Sequence, residues 1–175
     1  MSHPPPILSN AGPLITLGKL NRLGLLADLY DEVQIPRAVY NEVVVQGMAR
    51  GAADALTIRL FLNQQSWPIV DVPHKILSAY TPAIVLDPGE TEVLALAQTL
   101  PNPVVLLDDE AARTEARRLN LTVYGTLGVL IQSYRQNNLS YAESELLLQE
   151  IGTRRDIWIS AKLCQQVLVA LLKKP

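Results

Sequence analysis

Cysteine is almost missing from this chain: Cys164 stands alone in 175 residues, so no intramolecular disulfide can form. With only two histidines, His3 and His74, no Cys/His spacing suits a zinc site. One phenylalanine and an aromatic content of 5% leave no visible platform for stacking nucleic-acid bases. No run approaches the roughly 18 uninterrupted apolar residues of a membrane-crossing helix, so no membrane contact is expected. Neither charge dominates: 15 Lys+Arg stand against 17 Asp+Glu, and contacts with phosphate would have to come from a local basic patch. Residues 1–6 carry neither the basic start nor the apolar run of a signal peptide, and a reducing cytoplasm is the expected location.

What the chain does have is a core. Apolar residues make up 49% and charged residues 18%, and a chain of this length buries roughly 70% of its unfolded surface in one domain. We therefore read 1–175 as a single domain, with 1–6 flexible and 139–175 a C-terminal helical extension. Ile7 and Leu8 form a short apolar run that ends at Ser9, Asn10, Ala11, Gly12 and Pro13. Leu14, Leu17, Leu20, Leu23 and Leu26 then recur every three residues, which reads as helical segments broken near Gly24. The step repeats at Val33 to Ile35, a β-like run before a helix opened by Pro36 and carrying Val39, Val43 and Val44.

Residues 48–62 read as helical, and 68–73 as a brief strand bounded by proline. Asp87 and Pro88 open a helix through Val93, Leu94 and Ala97. Val104 to Leu107 is continuously apolar, as in a strand buried on both faces. A helix with Asp109 and Glu110 at its start and Arg113, Arg117 and Arg118 further on follows the order that the helix dipole favours. Leu121 to Tyr124 is another strand, leading through Gly125 to Gly128 into a helix. Ser140 and Glu143 form a capping-box pair, Ile157 to Ile159 is a short β-branched and aromatic run, and Ser160 caps a last helix. Short strands alternating with helices imply a parallel α/β sheet.

Ligands of such sheets bind beyond the carboxyl ends of the strands. Inspecting those positions collects oxygen ligands: Asn10, Glu42, Glu90, the Asp108 and Asp109 pair, and Thr126. Mg²⁺ or Mn²⁺ takes such oxygens, and a carboxylate-held cation suits phosphodiester hydrolysis. Each residue also has a plainer reading. Asp109 caps the next helix, Glu90 stands where a capping-box glutamate belongs, and Glu42 lies on a solvated helix face.

Five segments in order carry a resemblance: Ser9 to Ile15, Ile35 to Val43, Leu86 to Glu92, Leu106 to Arg113, and Gly125 to Gly128. They resemble the signature segments of PIN-domain proteins, closest to a branch described as predicted nucleic-acid-binding proteins and related to VapC-type toxins. That resemblance implies a three-layer α/β/α fold with a central parallel sheet. It also implies a metal-dependent ribonuclease cleaving single-stranded RNA, as the toxin half of a toxin–antitoxin pair, with an antitoxin protein as partner and a homodimer as assembly. By position, the family's acids fall on Glu42, Glu90 and Asp109, with Asp108 beside them and Glu92 a weaker candidate. Thr126 falls where some members carry a further polar group.

The departure is Asn10, where the family commonly has aspartate. An amide still offers a carbonyl oxygen, but it removes a charge and holds a hard cation less tightly. The alternative is therefore a catalytically weak module that binds RNA or a protein. An unrelated phosphoacceptor domain is a third reading of the Asp108 and Asp109 pair. Arg113 and Arg117 are the substrate-binding candidates, since basic side chains hold nucleic-acid backbones; their plainer role is solubility and dipole matching.

Overall fold

The computed structural model describes residues 4–172, so residues 1–3 of the N-terminal stretch and 173–175 of the tail lie outside the described residues. Residues 7–9, all buried, form β1 (Ile7–Ser9), followed by α1 (Ala11–Lys19) and α2 (Gly24–Leu29). The expected break lies between them, where Asn21 takes a left-handed φ of 53° that asparagine tolerates better than most residues. β2 (Ile35–Pro36) leads into α3 (Arg37–Tyr40), which widens into a π-helical stretch (Asn41–Gln46) and closes as α4 (Gly47–Ala49). Then come α5 (Ala53–Gln65), β3 (Ile69–Val70) and α6 (His74–Ala79). The helix read over 48–62 is thus two pieces, separated at Gly51, whose φ of +72° a helix interior does not admit.

The second half follows its expected order: α7 (Pro88–Ala97), β4 (Val104–Leu106), α8 (Glu110–Arg118), β5 (Thr122–Tyr124), α9 (Thr126–Arg135), α10 (Tyr141–Thr153) and α11 (Ala161–Leu172). Both capping boxes are made, by Asp87 with Glu90 and by Ser140 with Glu143. Residues 157–159 form no strand. Ile157 enters the core while Trp158 stands almost fully in solvent.

β1, β4 and β5 pair in parallel, as do β2 and β3, and a parallel bridge between Leu8 and Gln34 joins the two groups. The strands therefore run in the order β3-β2-β1-β4-β5, all in one direction. The order reverses between β1 and β4, the switch point outside whose carboxyl ends a crevice opens. α7 lies against β1, β2 and β4, and α8 against β5; α1 packs on α5 and α9, and α2 on α9. Right-handed crossovers put these two groups on opposite faces of the sheet, giving three α/β/α layers. Leu8, Leu106, Leu14, Leu17, Leu94 and Leu130 are wholly buried between the layers. Truncating any one to alanine is expected to cost about 2–5 kcal/mol.

α10 and α11 form the C-terminal addition. They cross closely at Gly152, where a Cβ would lie 3.2 Å from the Ala161 Cα, and both rest on α9. Among the described residues no helix is long and apolar enough to cross a membrane.

A candidate carboxylate centre at the sheet switch point

Asn10 occupies the cap position of α1 in an extended conformation, yet its side chain makes no capping hydrogen bond. Its Oδ1 is buried with no partner, in a position where asparagine would ordinarily bond the first turn of the helix. The amide faces Gly89 instead: a Cβ there would lie 3.0 Å from Asn10 Oδ1 and 3.4 Å from an Asp87 oxygen. Glycine at position 89 thus allows the N-terminus of α7 to close on Asn10.

α7 brings Asp87 and Glu90. The Glu90 N–H donates to Asp87 Oδ1 at 2.7 Å, and the Asp87 N–H donates to Glu90 Oε2 at 3.1 Å. The plain capping role of Glu90 is therefore real, but it occupies one oxygen of a side chain only 7% exposed. Burial pushes the Glu90 carboxyl up to about 6; the bond from the Asp87 backbone opposes this, and the charges of Asp87, Asp109 and Glu42 add to it. Glu42 sits in the π-helical stretch. Burial, then the Asp87 charge, raises its carboxyl, with Arg50 pulling the other way. Wide turns of this kind recur at functional sites.

Asp109 caps α8 by accepting the Ala112 N–H at 2.9 Å, again with one oxygen. Glu42, Asp87, Glu90 and Asp109 thus share one field of mutual repulsion, with Asn10 at its edge. Asp87 is the member that the sequence reading treated only as a cap; its place one turn ahead of Glu90, at the same helix end, was the available signal.

Asp108 stands apart from this group. Its two oxygens accept the Thr126 N–H at 2.7 Å and the Thr126 hydroxyl at 2.6 Å, tying the end of β4 to the start of α9. Burial raises its carboxyl, while Thr126 and Arg113 pull it down. Arg113 donates to the Leu107 carbonyl at 3.0 Å. A Cβ on Gly125 would fall 2.7 Å from Arg113 Nη1 and 2.8 Å from Asp108 Oδ1, so this glycine makes room for both. Thr126 is wholly buried and engaged with Asp108. Arg117, half exposed, pairs with Glu110 at 2.9 Å. Glu92 accepts the Ala38 N–H at 2.8 Å and thereby caps α3, which begins after a proline and has no side-chain cap of its own.

Glu115, which the sequence did not single out, is 1% exposed. It accepts a bidentate pair from Arg118 at 2.8 and 2.7 Å, the Ala83 N–H at 3.1 Å and the Tyr80 hydroxyl at 3.2 Å. These bonds pin the segment leading to Asp87 against α8. The first of them, with Arg118, outweighs burial and holds the Glu115 carboxyl down at about 2.

As the side chains stand, no three His, Cys, Asp or Glu among the described residues converge to hold a metal ion. The donor chemistry nevertheless fits a hard divalent cation. Every donor is an oxygen, the buried Asn10 Oδ1 lacks a partner, and burial together with the neighbouring acids raises the proton affinity of Glu90 and Glu42.

No curated protein sequence matches the chain. A family model described as a PIN domain matches residues 6–173. PIN domains have a nuclease-like fold, bind nucleic acid and generally use divalent metal ions. With the match running nearly end to end, and the parallel sheet and flanking helices in place, this chain belongs to the PIN-domain family.

Proposed function

We infer that the protein is a metal-dependent ribonuclease that hydrolyses phosphodiesters of single-stranded RNA. The observation that carries this reading is the buried, unpartnered Asn10 Oδ1 facing the helix end that holds Glu90, whose carboxyl is pushed up to about 6 by burial first and by the surrounding acids second. Glu42, Glu90 and Asp109 would hold Mg²⁺ or Mn²⁺, with Asn10 as a neutral oxygen donor. Such a cation lowers the proton affinity of water and offsets charge on the pentacovalent phosphate.

The protein's own groups do the rest. Asn10 orients water through Oδ1, Glu90 and Asp109 keep one oxygen each on their helix caps so that the other is aimed from a fixed position, and Asp108 holds α9 in place through Thr126. Arg113 and Arg117 on α8 supply positive charge for the RNA backbone. The test is incubation of labelled single-stranded RNA with the protein in Mn²⁺, Mg²⁺ or EDTA. Cutting is expected with either metal and absent in EDTA; cutting that persists in EDTA defeats the metal-dependent reading.

Two observations favour a second reading, a module that binds RNA or a protein with little catalysis: the amide at Asn10 removes a charge from the centre, and Glu90 is engaged in its cap. Folded protein that retains RNA without cutting it under any metal supports that module. As assembly we propose a homodimer, supported by exposed Val45, Met48, Leu56 and Leu60 on neighbouring helical segments. Sedimentation at micromolar concentration tests it. The toxin role, with an antitoxin partner in the cytoplasm, is tested by growth on induced expression with and without the neighbouring gene.

A further inference from the structure

Glu115 is a buried acid that the hydrolysis does not use. It lies on α8, the helix that Asp109 caps, and its carboxylate faces two elements at once. Oε1 alone accepts from Arg118 Nη2 in its own helix, from the Tyr80 hydroxyl at the end of α6 and from the Ala83 N–H beyond it. The segment between α6 and α7 has little else to hold it. Among the described residues, the Ala83 N–H is the one backbone donor of residues 81–86 with a hydrogen-bond partner, and that partner is Glu115. Ile84 and Val85 then stand exposed, Leu86 packs against the core, and Asp87 opens α7. Glu115 is therefore the polar tie on the approach to α7.

The two helices it links both deliver acids to the centre. They do so from different parts of the sheet, α7 from β1, β2 and β4, and α8 from β5. The Glu90 charge at the start of α7 and the Asp109 charge at the start of α8 repel, so these helix ends gain by separating until a cation lies between them. The clasp joins the same two elements and opposes that separation. A buried ion pair is often no more stabilising than apolar side chains of the same volume; what the carboxylate adds is direction, gathering donors from two elements at one point. Its own charge is met by Arg118, and the acids acting on Glu90 are Asp87, Asp109 and Glu42, so Glu115 reaches the centre through the segment it holds.

We propose that Glu115 is a positioning residue of the carboxylate centre: through Tyr80 and Ala83 it holds the entry to α7 against α8, and so keeps Asp87 and Glu90 beside Asp109 before a cation binds. The proposal rests on the reading of that centre as a divalent-cation site.

The test uses the full chain and sets Glu115→Ala, Glu115→Gln and Tyr80→Phe beside wild type. Leu148→Ala, a core truncation in the C-terminal addition, controls for lost stability alone. Mn²⁺ binding is measured by calorimetry under conditions where circular dichroism shows each protein folded. Exchange of the Ala83 amide in EDTA is followed by NMR, and cleavage of labelled RNA is measured over a range of Mn²⁺. Glu115→Ala is expected to weaken Mn²⁺ binding about tenfold, the lower end of what residues outside the ligand set contribute, and to speed exchange of the Ala83 amide. Glu115→Gln, which still offers an oxygen to Ala83, should recover part of both. Tyr80→Phe removes one hydroxyl and strands no buried charge; it should weaken binding about threefold, within the worth of one hydrogen bond, and it decides the matter if Glu115→Ala does not fold. Leu148→Ala should bind Mn²⁺ as wild type does.

Mn²⁺ affinity and cleavage unchanged in Glu115→Ala and Tyr80→Phe overturn the positioning role and leave the nuclease standing. A loss of affinity in Leu148→Ala as large as in Glu115→Ala overturns it in favour of general loosening of the fold. Wild-type protein that neither binds Mn²⁺ nor cuts RNA defeats the carboxylate-centre reading and the positioning role together.

Discussion

Glu90→Gln should make the metal-free protein more stable while abolishing its chemistry. Glutamine keeps the shape and can still accept the Asp87 N–H, as capping boxes accept either residue. What it removes is a buried negative charge facing Asp87, Asp109 and Glu42. Raising a carboxyl from its ordinary 4.5 to about 6 corresponds to about 2 kcal/mol of penalty on the ionised form. Because the folded state keeps this proton longer than the unfolded one, wild-type stability falls as pH rises from 4.5 through about 6. The deficit is complete above that value and absent below 4.5.

The assay is urea or thermal denaturation of wild type and Glu90→Gln in EDTA, at pH 7.5 and again near pH 4.5. At the higher pH the variant should melt later by about 4–8 °C, the shift that about 2 kcal/mol gives a chain of this length. Near pH 4.5 the two should converge. Taking the difference between the proteins cancels every other titrating group. Mn²⁺ should raise the midpoint of wild type and leave the variant nearly unmoved. A variant less stable than wild type at pH 7.5, or a difference that does not depend on pH, refutes the penalty that burial and the neighbouring acids place on ionised Glu90.

Glu115→Ala should cost about 2–3 kcal/mol, the worth of hydrogen bonds to a charged group, read as a lower urea midpoint with faster proteolysis near Ile84 and Val85, which stand exposed in the pinned segment. The same clasp is present at neutral pH, above the ordinary carboxylate value, and weakens in acid as pH falls toward about 2. Gly125→Ala places a methyl against Arg113 and Asp108 and should destabilise by about 1–3 kcal/mol, as overpacking does, with a fall in cleavage measured on the same preparation. Asn10→Asp adds a charge to the centre; it should lower the Mn²⁺ concentration needed for half-maximal cleavage and lower the stability of the metal-free protein, both read by titration.

The elements readable from sequence were those whose signals are local. Asp87, Pro88 and Glu90 announce a helix start because capping chemistry acts over three residues, and Val104 to Leu107 announce a central strand because both faces are buried. The π-helical stretch was not readable: what sets Asn41–Gln46 apart is the wider i→i+5 hydrogen bonding of its backbone, which the side-chain periodicity of the chain does not encode. The Glu115 clasp joins residues 32 and 35 positions apart, beyond any pattern in the chain.

At the site, Asn10, Glu42, Glu90 and Asp109 could be collected from strand ends, and the resemblance to PIN domains ordered them. The separate role of Asp108 was hidden because adjacent aspartates look alike in sequence. After β4 they face opposite ways, one capping α8 and the other bonded to Thr126.

The central claim is that these acids hold a divalent cation that the hydrolysis needs. Mn²⁺ binding by calorimetry and RNA cleavage should be measured on the same preparations of wild type and Glu90→Gln/Asp109→Asn, in which both helix caps survive. The account predicts that wild type binds Mn²⁺ and cuts RNA, and that the double variant loses both while remaining folded. A double variant that binds the metal as tightly as wild type, or cuts RNA as fast, contradicts it.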